Sequence, residues 1–274
     1  MNETTKYTRD LLRKEVGVCF PRHEIILHKG SSGLKYYLIV MYLRNHVDTF
    51  GGVYTNLNDI LIECGYSINT HCKSAYDDFR KILNDHLSNN GYVSIDKDIM
   101  KVSTTELFKL QLSYDKNLFI TECPFVFFSI DEYEKISSYK GKVKKSILTG
   151  VYLYIKQFIS SDNEINNTSN QIAYPSKKSI ADSIGVSSTT TIESALSILE
   201  EINMIYIIRG LYVENKNESG SYIPTRNGYT LQAKYVDIVA FKTVLTNLYQ
   251  TNVYEKNEVE GKIKFISSKF RNRN

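Results

Sequence analysis

Apolar residues recur at helical spacing in two stretches of the chain that follow the same order of elements. In the later stretch, Ile147, Leu148, Val151, Tyr154, Ile155 and Phe158 lie three and four apart, which predicts a leading helix over 144–159. A polar, Asn-rich loop over 162–170 follows it. Residues 179–184 predict a short helix with Ile180, Ala181 and Ile184 inward. Gly185 suits the left-handed residue that ends such a helix, and Ser187 suits the N-cap of the next. The stripe Ile192, Ala195, Leu196, Leu199, Ile202 marks that next helix, and the small Ala181 lets the two cross closely. The β-rich runs 204–208 and 211–213, the turn cluster 215–220 and the return run 222–231 predict a hairpin. Two crossing helices followed by a hairpin make a winged helix.

The earlier stretch repeats this order. Residues 34–47 predict the leading helix, 57–64 the short helix, Gly65 the turn, and 68–87 a longer helix with Cys72, Ala75, Tyr76, Phe79, Ile82 and Leu83 inward. Strands follow near 91–95 and at Phe108, Leu110 and Leu112, with a turn at 115–117 before a further extended run at 118–120. A shift of 120 residues lays Ile60 on Ile180, Gly65 on Gly185, Ser67 on Ser187, Thr70 on Thr190, Ala75 on Ala195 and Ile82 on Ile202 without a gap. The fold class is therefore expected to be α+β and predominantly helical, with two tandem winged-helix domains (helix-turn-helix plus β-hairpin), a C-terminal helix and a basic tail. The expected division is 1–122, 123–232 and 233–274. The C-terminal helix, over 236–249 with Val236, Val239, Ala240, Val244 and Leu248 inward, is expected to cap the second module or to dimerise.

Charge sharpens this picture. The 274 residues carry 34 Lys and Arg against 30 Asp and Glu, a net charge of +4. The last fourteen hold Lys262, Lys264, Lys269, Arg271 and Arg273 and no acid; subtracting these five leaves the rest at −1. A near-neutral body with a basic end is a common way to meet an anionic polymer. The longest apolar run, 36–43, is too short to span a bilayer, no secretory leader is visible, and four scattered cysteines fit a reducing compartment. A cytoplasmic protein with no membrane partner is the expectation.

The run Phe125-Val-Phe-Phe-Ser-Ile130, then Val151-Tyr-Leu-Tyr154, Tyr174-Pro-Ser-Lys-Lys-Ser-Ile-Ala-Asp-Ser-Ile-Gly-Val-Ser187 and Ala195-Leu-Ser-Ile-Leu-Glu-Glu-Ile-Asn-Met-Ile205, resembles the winged-helix module of plasmid replication initiators and DnaD-type primosome proteins of low-GC bacteria. The first half is similar to a more divergent copy, as in tandem winged-helix initiators. The resemblance implies a sequence-specific double-stranded DNA-binding protein that binds origin repeats and recruits a host helicase-loading protein or a second protomer as a homodimer. Two alternatives share the residues: a transcription regulator on the same fold, and a protein-interaction scaffold of the primosome.

Candidate contacts follow from the module. In the first recognition helix they are Asn69, Thr70, His71 and Lys73, and in the second Ser188, Thr189 and Thr190, where family members usually carry Arg or Lys and this chain adds Glu193. Arg209, Lys216 and Arg226 occupy the wing. Lys144 stands in the cluster Lys140, Lys142, Lys144, Lys145, which opposes a helix dipole and so suggests phosphate contact. Cys64, His71 and Cys72, like Cys19, His23 and His28, lack zinc-ligand spacing. Asp77-Asp78 and Asp131-Glu132 read as surface charges. No phosphate-cradling loop or nucleophile elbow occurs. No cofactor, metal or enzymatic activity is expected.

Overall fold

The structure, a computed structural model, describes residues 16–68, 73–121, 124–159, 168–209, 211–214, 222–248 and 265–267. The fold is α+β, with helices joined to small antiparallel sheets. Two compact units emerge: Met1–Tyr154 with Ala181–Ile198, and Ile155–Ile180 with Leu199–Asn274. No described helix is long and apolar enough to cross a membrane.

In chain order the first unit contains β1 (Gly17–Pro21), α1 (Lys35–His46), β2 (Gly52–Thr55), α2 (Leu57–Glu63), α3 (Lys73–Lys81), β3 (Val93–Ile95), β4 (Phe108–Leu112), β5 (Phe125–Ser129) and α4 (Ile130–Ser137). The helices α5 (Lys145–Lys156), α6 (Lys177–Ile184) and α7 (Thr189–Glu201) each have residues in both units. The second unit adds β6 (Tyr206–Ile208), β7 (Leu211–Glu214), β8 (Tyr222–Pro224), β9 (Gly228–Thr230), α8 (Ile238–Leu248) and β10 (Phe265–Ser267).

The first unit is built around α1, whose residues Lys35 through Leu43 are all buried. A helix apolar on every side belongs at the centre of a core rather than on its surface. Two of its tyrosines keep their hydroxyls bonded: Tyr37 donates to the Glu24 carbonyl at 2.9 Å, and Tyr42 pairs with the Thr55 hydroxyl at 2.6 Å. Lys35, buried at the start of this helix, forms an ion pair with Asp78 of α3. Asp78 is thus no surface charge, contrary to the sequence reading. Glu132 departs from it too. It closes a capping box with Ser129 and accepts the hydroxyl of Tyr152, which is wholly buried in α5.

Beneath α1, His28 stacks on Tyr36 with ring centroids 3.8 Å apart and meets His86 edge-on at 5.1 Å. Burial, and then the neighbouring His86, push the His28 pKa down from 6.5 to about 4. The folded protein therefore refuses a proton that the unfolded chain accepts below pH 6.5. Stability is expected to fall as pH drops from 6.5 towards 4, by up to about 3 kcal/mol for this group. Urea unfolding at pH 7 and pH 4.5 tests this: His28→Phe should lose distinctly less than the parent over that interval, and equal losses count against the assignment.

Two antiparallel arrangements frame the unit. β1 pairs with β5, Cys19 standing opposite Phe127. The other sheet has the order β2-β4-β3, with Val53 opposite Leu110. The extended run expected at 118–120 is not a strand; Phe119 is instead buried, and its carbonyl accepts the Cys19 amide at 2.9 Å. The helix expected over 68–87 is α3 followed by a π-helical stretch, Ile82–Ser88, closed by an Asn89 amide to Asn84 carbonyl bond of 2.8 Å.

In the second unit β6 pairs with β9, and Ala173 bridges to Tyr229 on the other side of β9. The 120-residue shift carries Val53 onto Ala173, and each contacts the last strand of the hairpin that follows it. The internal repeat therefore extends to strand pairing. β7 pairs with β8, and β10 lies along β7 with Phe265 opposite Val213. These three residues of the expected tail are a strand edge; the rest of the tail lies outside the described residues.

The helix α8 caps its own unit. Phe241 and Leu245 are fully buried in a cluster with Ile172, Ile208 and Leu211, worth about 1.5–3 kcal/mol for each large side chain. Its buried stripe is not the expected one: Val236 and Val239 are 44% and 74% exposed.

Candidate nucleic-acid interface

The helix α2 and the turn that ends it are locally over-determined. The Asn56 side chain caps α2 by accepting the Asp59 amide at 2.9 Å, while Leu57, Ile60 and Leu61 face the core. At the other end Gly65, with φ of 81°, sends its amide to the Ile62 carbonyl, and Tyr66 sends its own to Leu61. These are the two bonds of a Schellman ending, which places a residue without Cβ at the left-handed position. In the second copy Gly185, at φ 69°, holds the same place, and the Val186 amide reaches the Ala181 carbonyl at 2.9 Å.

Each turn is pressed by the segment that precedes the other copy's leading helix. A Cβ at Gly65 would overlap the Ser137 carbonyl oxygen and the Lys145 side chain. One at Gly185 would stand 2.8 Å from the Lys29 Cβ and 2.9 Å from the Gly30 nitrogen. All these residues belong to the first unit. A hydrogen bond of 2.9 Å from the Tyr133 hydroxyl to the Glu63 carbonyl further ties α4 to the end of α2.

Beside the first turn opens a cleft of about 910 Å³, with Lys35, Lys140, Lys142, Lys144 and Lys145 in its walls. Ser67 and Ser74, the latter in the first described turn of α3, line it too, and no acidic side chain is among its described lining residues. Lys35 is neutralised by Asp78. Lys140, Lys142 and Lys144 are exposed, and Lys145 is partly buried, with its pKa lowered by that burial. Lys144 also starts α5, its carbonyl accepting the Ile147 and Leu148 amides at 3.0 and 3.1 Å.

Of the other residues selected from the sequence, Lys73 is exposed at the first described turn of α3. Asn69, Thr70, His71 and Lys216 lie outside the described residues. At the start of α7 the N-cap is Ser188 and not the expected Ser187: its hydroxyl accepts the Thr191 amide at 3.3 Å. Thr189 and Thr190 are exposed beside it, with Glu193, Ser194 and Ser197, so the outer face is polar and carries no base. Arg209 is held by both carboxylate oxygens of Glu200, one at 2.8 Å, and this hydrogen bonding raises its pKa. Arg226 is exposed.

No protein-family model, curated protein or solved structure matches this chain.

The sequence shows the lysine run but not its neighbour in space. Nor does it show the loop between β3 and β4. That loop folds back to bury Ile99 and Val102, its Thr104 carbonyl accepting the Asn58 amide at 3.0 Å and its Val102 carbonyl the Arg80 guanidinium at 2.9 Å. The separations from α2 and α3 are beyond anything local periodicity reports. Cys64 is fully buried, and burial pushes its thiol up to about 12, so it stays a neutral core group.

Proposed function

We propose that the chain is a sequence-specific double-stranded DNA-binding protein made of two winged helices, and that it initiates replication of a plasmid or other mobile element at repeated origin sites. One observation carries the reading: in both copies a helix-turn-helix is followed by a hairpin whose last strand also pairs with a residue lying just before the helix-turn-helix. Helix-turn-helix units present the start of their second helix to a major groove, and the start of α3 is the basic one, through Lys73 and the neighbouring lysines. Base contacts there set the site, and the lysines hold the backbone. A host helicase-loading protein or a second protomer is the partner in this reading, and no catalytic step is assigned to the chain.

A second reading, a protein-contact scaffold, draws on the second helix, whose outer face offers hydroxyls and Glu193 but no base. Fluorescence anisotropy on duplexes flanking the gene, at 50 and 200 mM salt, separates the two. The DNA reading expects affinity that drops steeply with salt, and a loss of about 1–3 kcal/mol on the preferred duplex for Lys73→Ala. Absence of salt-dependent duplex binding by the parent protein would favour the scaffold.

A further inference from the structure

The lysine cleft carries a cost that the fold keeps. Four cations within six positions repel one another, and two of them, Lys144 and Lys145, sit where the positive end of the α5 dipole adds to the repulsion. Among the described residues no carboxylate pairs with Lys140, Lys142, Lys144 or Lys145. The segment is nevertheless fixed, because the Ser137 carbonyl and the Lys145 stem fill the space that a Cβ at Gly65 would need. The backbone is held on either side of the run, at Ser137 and Lys145, while Lys140, Lys142 and Lys144 stay exposed; solvent screens their repulsion in part, and a bound polyanion lowers it further. The corresponding contact at Gly185 offers only Lys29 beside Gly30, Ser31 and Ser32. The two copies are therefore unequal in charge at equivalent places.

We infer that this cleft is a site for consecutive phosphates of a polyanion, with Lys140, Lys142 and Lys144 supplying the charge and Ser74 of α3 lining the same cleft. A single phosphate brings at most two negative charges, too few for four unpaired cations, whereas a nucleic-acid strand brings one for each nucleotide. A strand crossing the cleft passes the first turn of α3, where Ser74 and Lys73 stand exposed. This deepens the DNA-binding reading and rests on it for the source of the phosphates. It makes the linker of the second copy part of the first copy's backbone contact.

The experiment uses the full chain, the triple variant Lys140→Gln, Lys142→Gln, Lys144→Gln, and a control of equal charge loss at exposed sites elsewhere, Lys101→Gln, Lys135→Gln, Lys234→Gln. All six positions are exposed, so neither variant loses buried packing; the control is expected to unfold near the parent's temperature and the cleft variant, relieved of the repulsion, at or above it. Affinity for a 30-base-pair duplex is measured across salt concentrations, and affinity for inorganic tripolyphosphate by calorimetry. Each lost phosphate contact flattens the log–log salt slope by about 0.9, so the cleft variant should lose about two to three units of slope and on the order of 100-fold in affinity at low salt. The control should keep the parent slope. If the duplex binds and both variants respond alike, the cleft assignment is wrong and the DNA reading survives. If no duplex binds but tripolyphosphate binds the parent and not the cleft variant, the phosphate site stands with a free polyanion as its ligand and the DNA reading falls. Failure of both probes overturns both.

Discussion

Asp78→Ala is expected to destabilise the protein by about 3–5 kcal/mol, the usual consequence of stripping one partner from a buried ion pair. Lys35 is 6% exposed at the start of the helix around which the first unit is packed. Its ammonium sits by Asp78, with the Tyr66 ring 5.9 Å away. Once the carboxylate is gone, the largely buried ammonium has lost its counterion. Exchanging both residues for apolar ones of similar volume, Lys35→Met with Asp78→Leu, should recover most of the loss, since the pair gains little over good apolar packing. Urea unfolding of the two single variants and the double one measures the coupling; losses that simply add would show that the two groups do not meet. The pair also bears on the interface. It fastens α3 to α1 and removes Lys35 from the charge available to an anion, leaving that part to the lysines of 140–145.

Gly65→Ala is expected to cost about 2–5 kcal/mol, although it adds a single methyl group. Two effects combine. At φ 81° any side chain meets left-handed strain of about 1–2 kcal/mol. The new Cβ also overlaps the Ser137 carbonyl oxygen, a backbone atom that cannot turn aside, and overpacking of this kind costs about 1–3 kcal/mol more. Gly91 separates the two contributions: its φ is 72°, but the nearest atom to an added Cβ is the Lys116 Nζ at 4.0 Å. Gly91→Ala should therefore show the strain alone. If thermal or urea unfolding puts the two variants level, the end of α4 is not docked on the first turn, and the cleft loses its fixed wall.

Much of the local architecture was legible in the chain. The helices before each turn, both glycines at the turns and the strands of the second hairpin all appear where spacing and turn residues put them, because each is decided by hydrogen bonds and side chains a few residues apart. The candidate surface was less so. The lysine run is visible as composition, but its meeting with Gly65 joins residues some seventy to eighty positions apart. Acidic pairs misled for the same reason. Asp78 and Glu132 look like solvated charges beside Asp77 and Asp131, and only a buried Lys35 and a buried Tyr152 give them their roles.

The sequence by itself placed the short helices and, 120 residues apart, the glycines that end them, since a left-handed backbone favours a residue without Cβ. Tertiary structure decided how the copies engage, through β1 lying along β5 and each turn receiving the segment ahead of the other copy's leading helix. Periodicity reports which face of an element is buried, and it carries no information about what covers that face. That choice rests on shape and charge complementarity between segments far apart in the chain, and it is what gathers four lysines at one turn and leaves the other nearly bare.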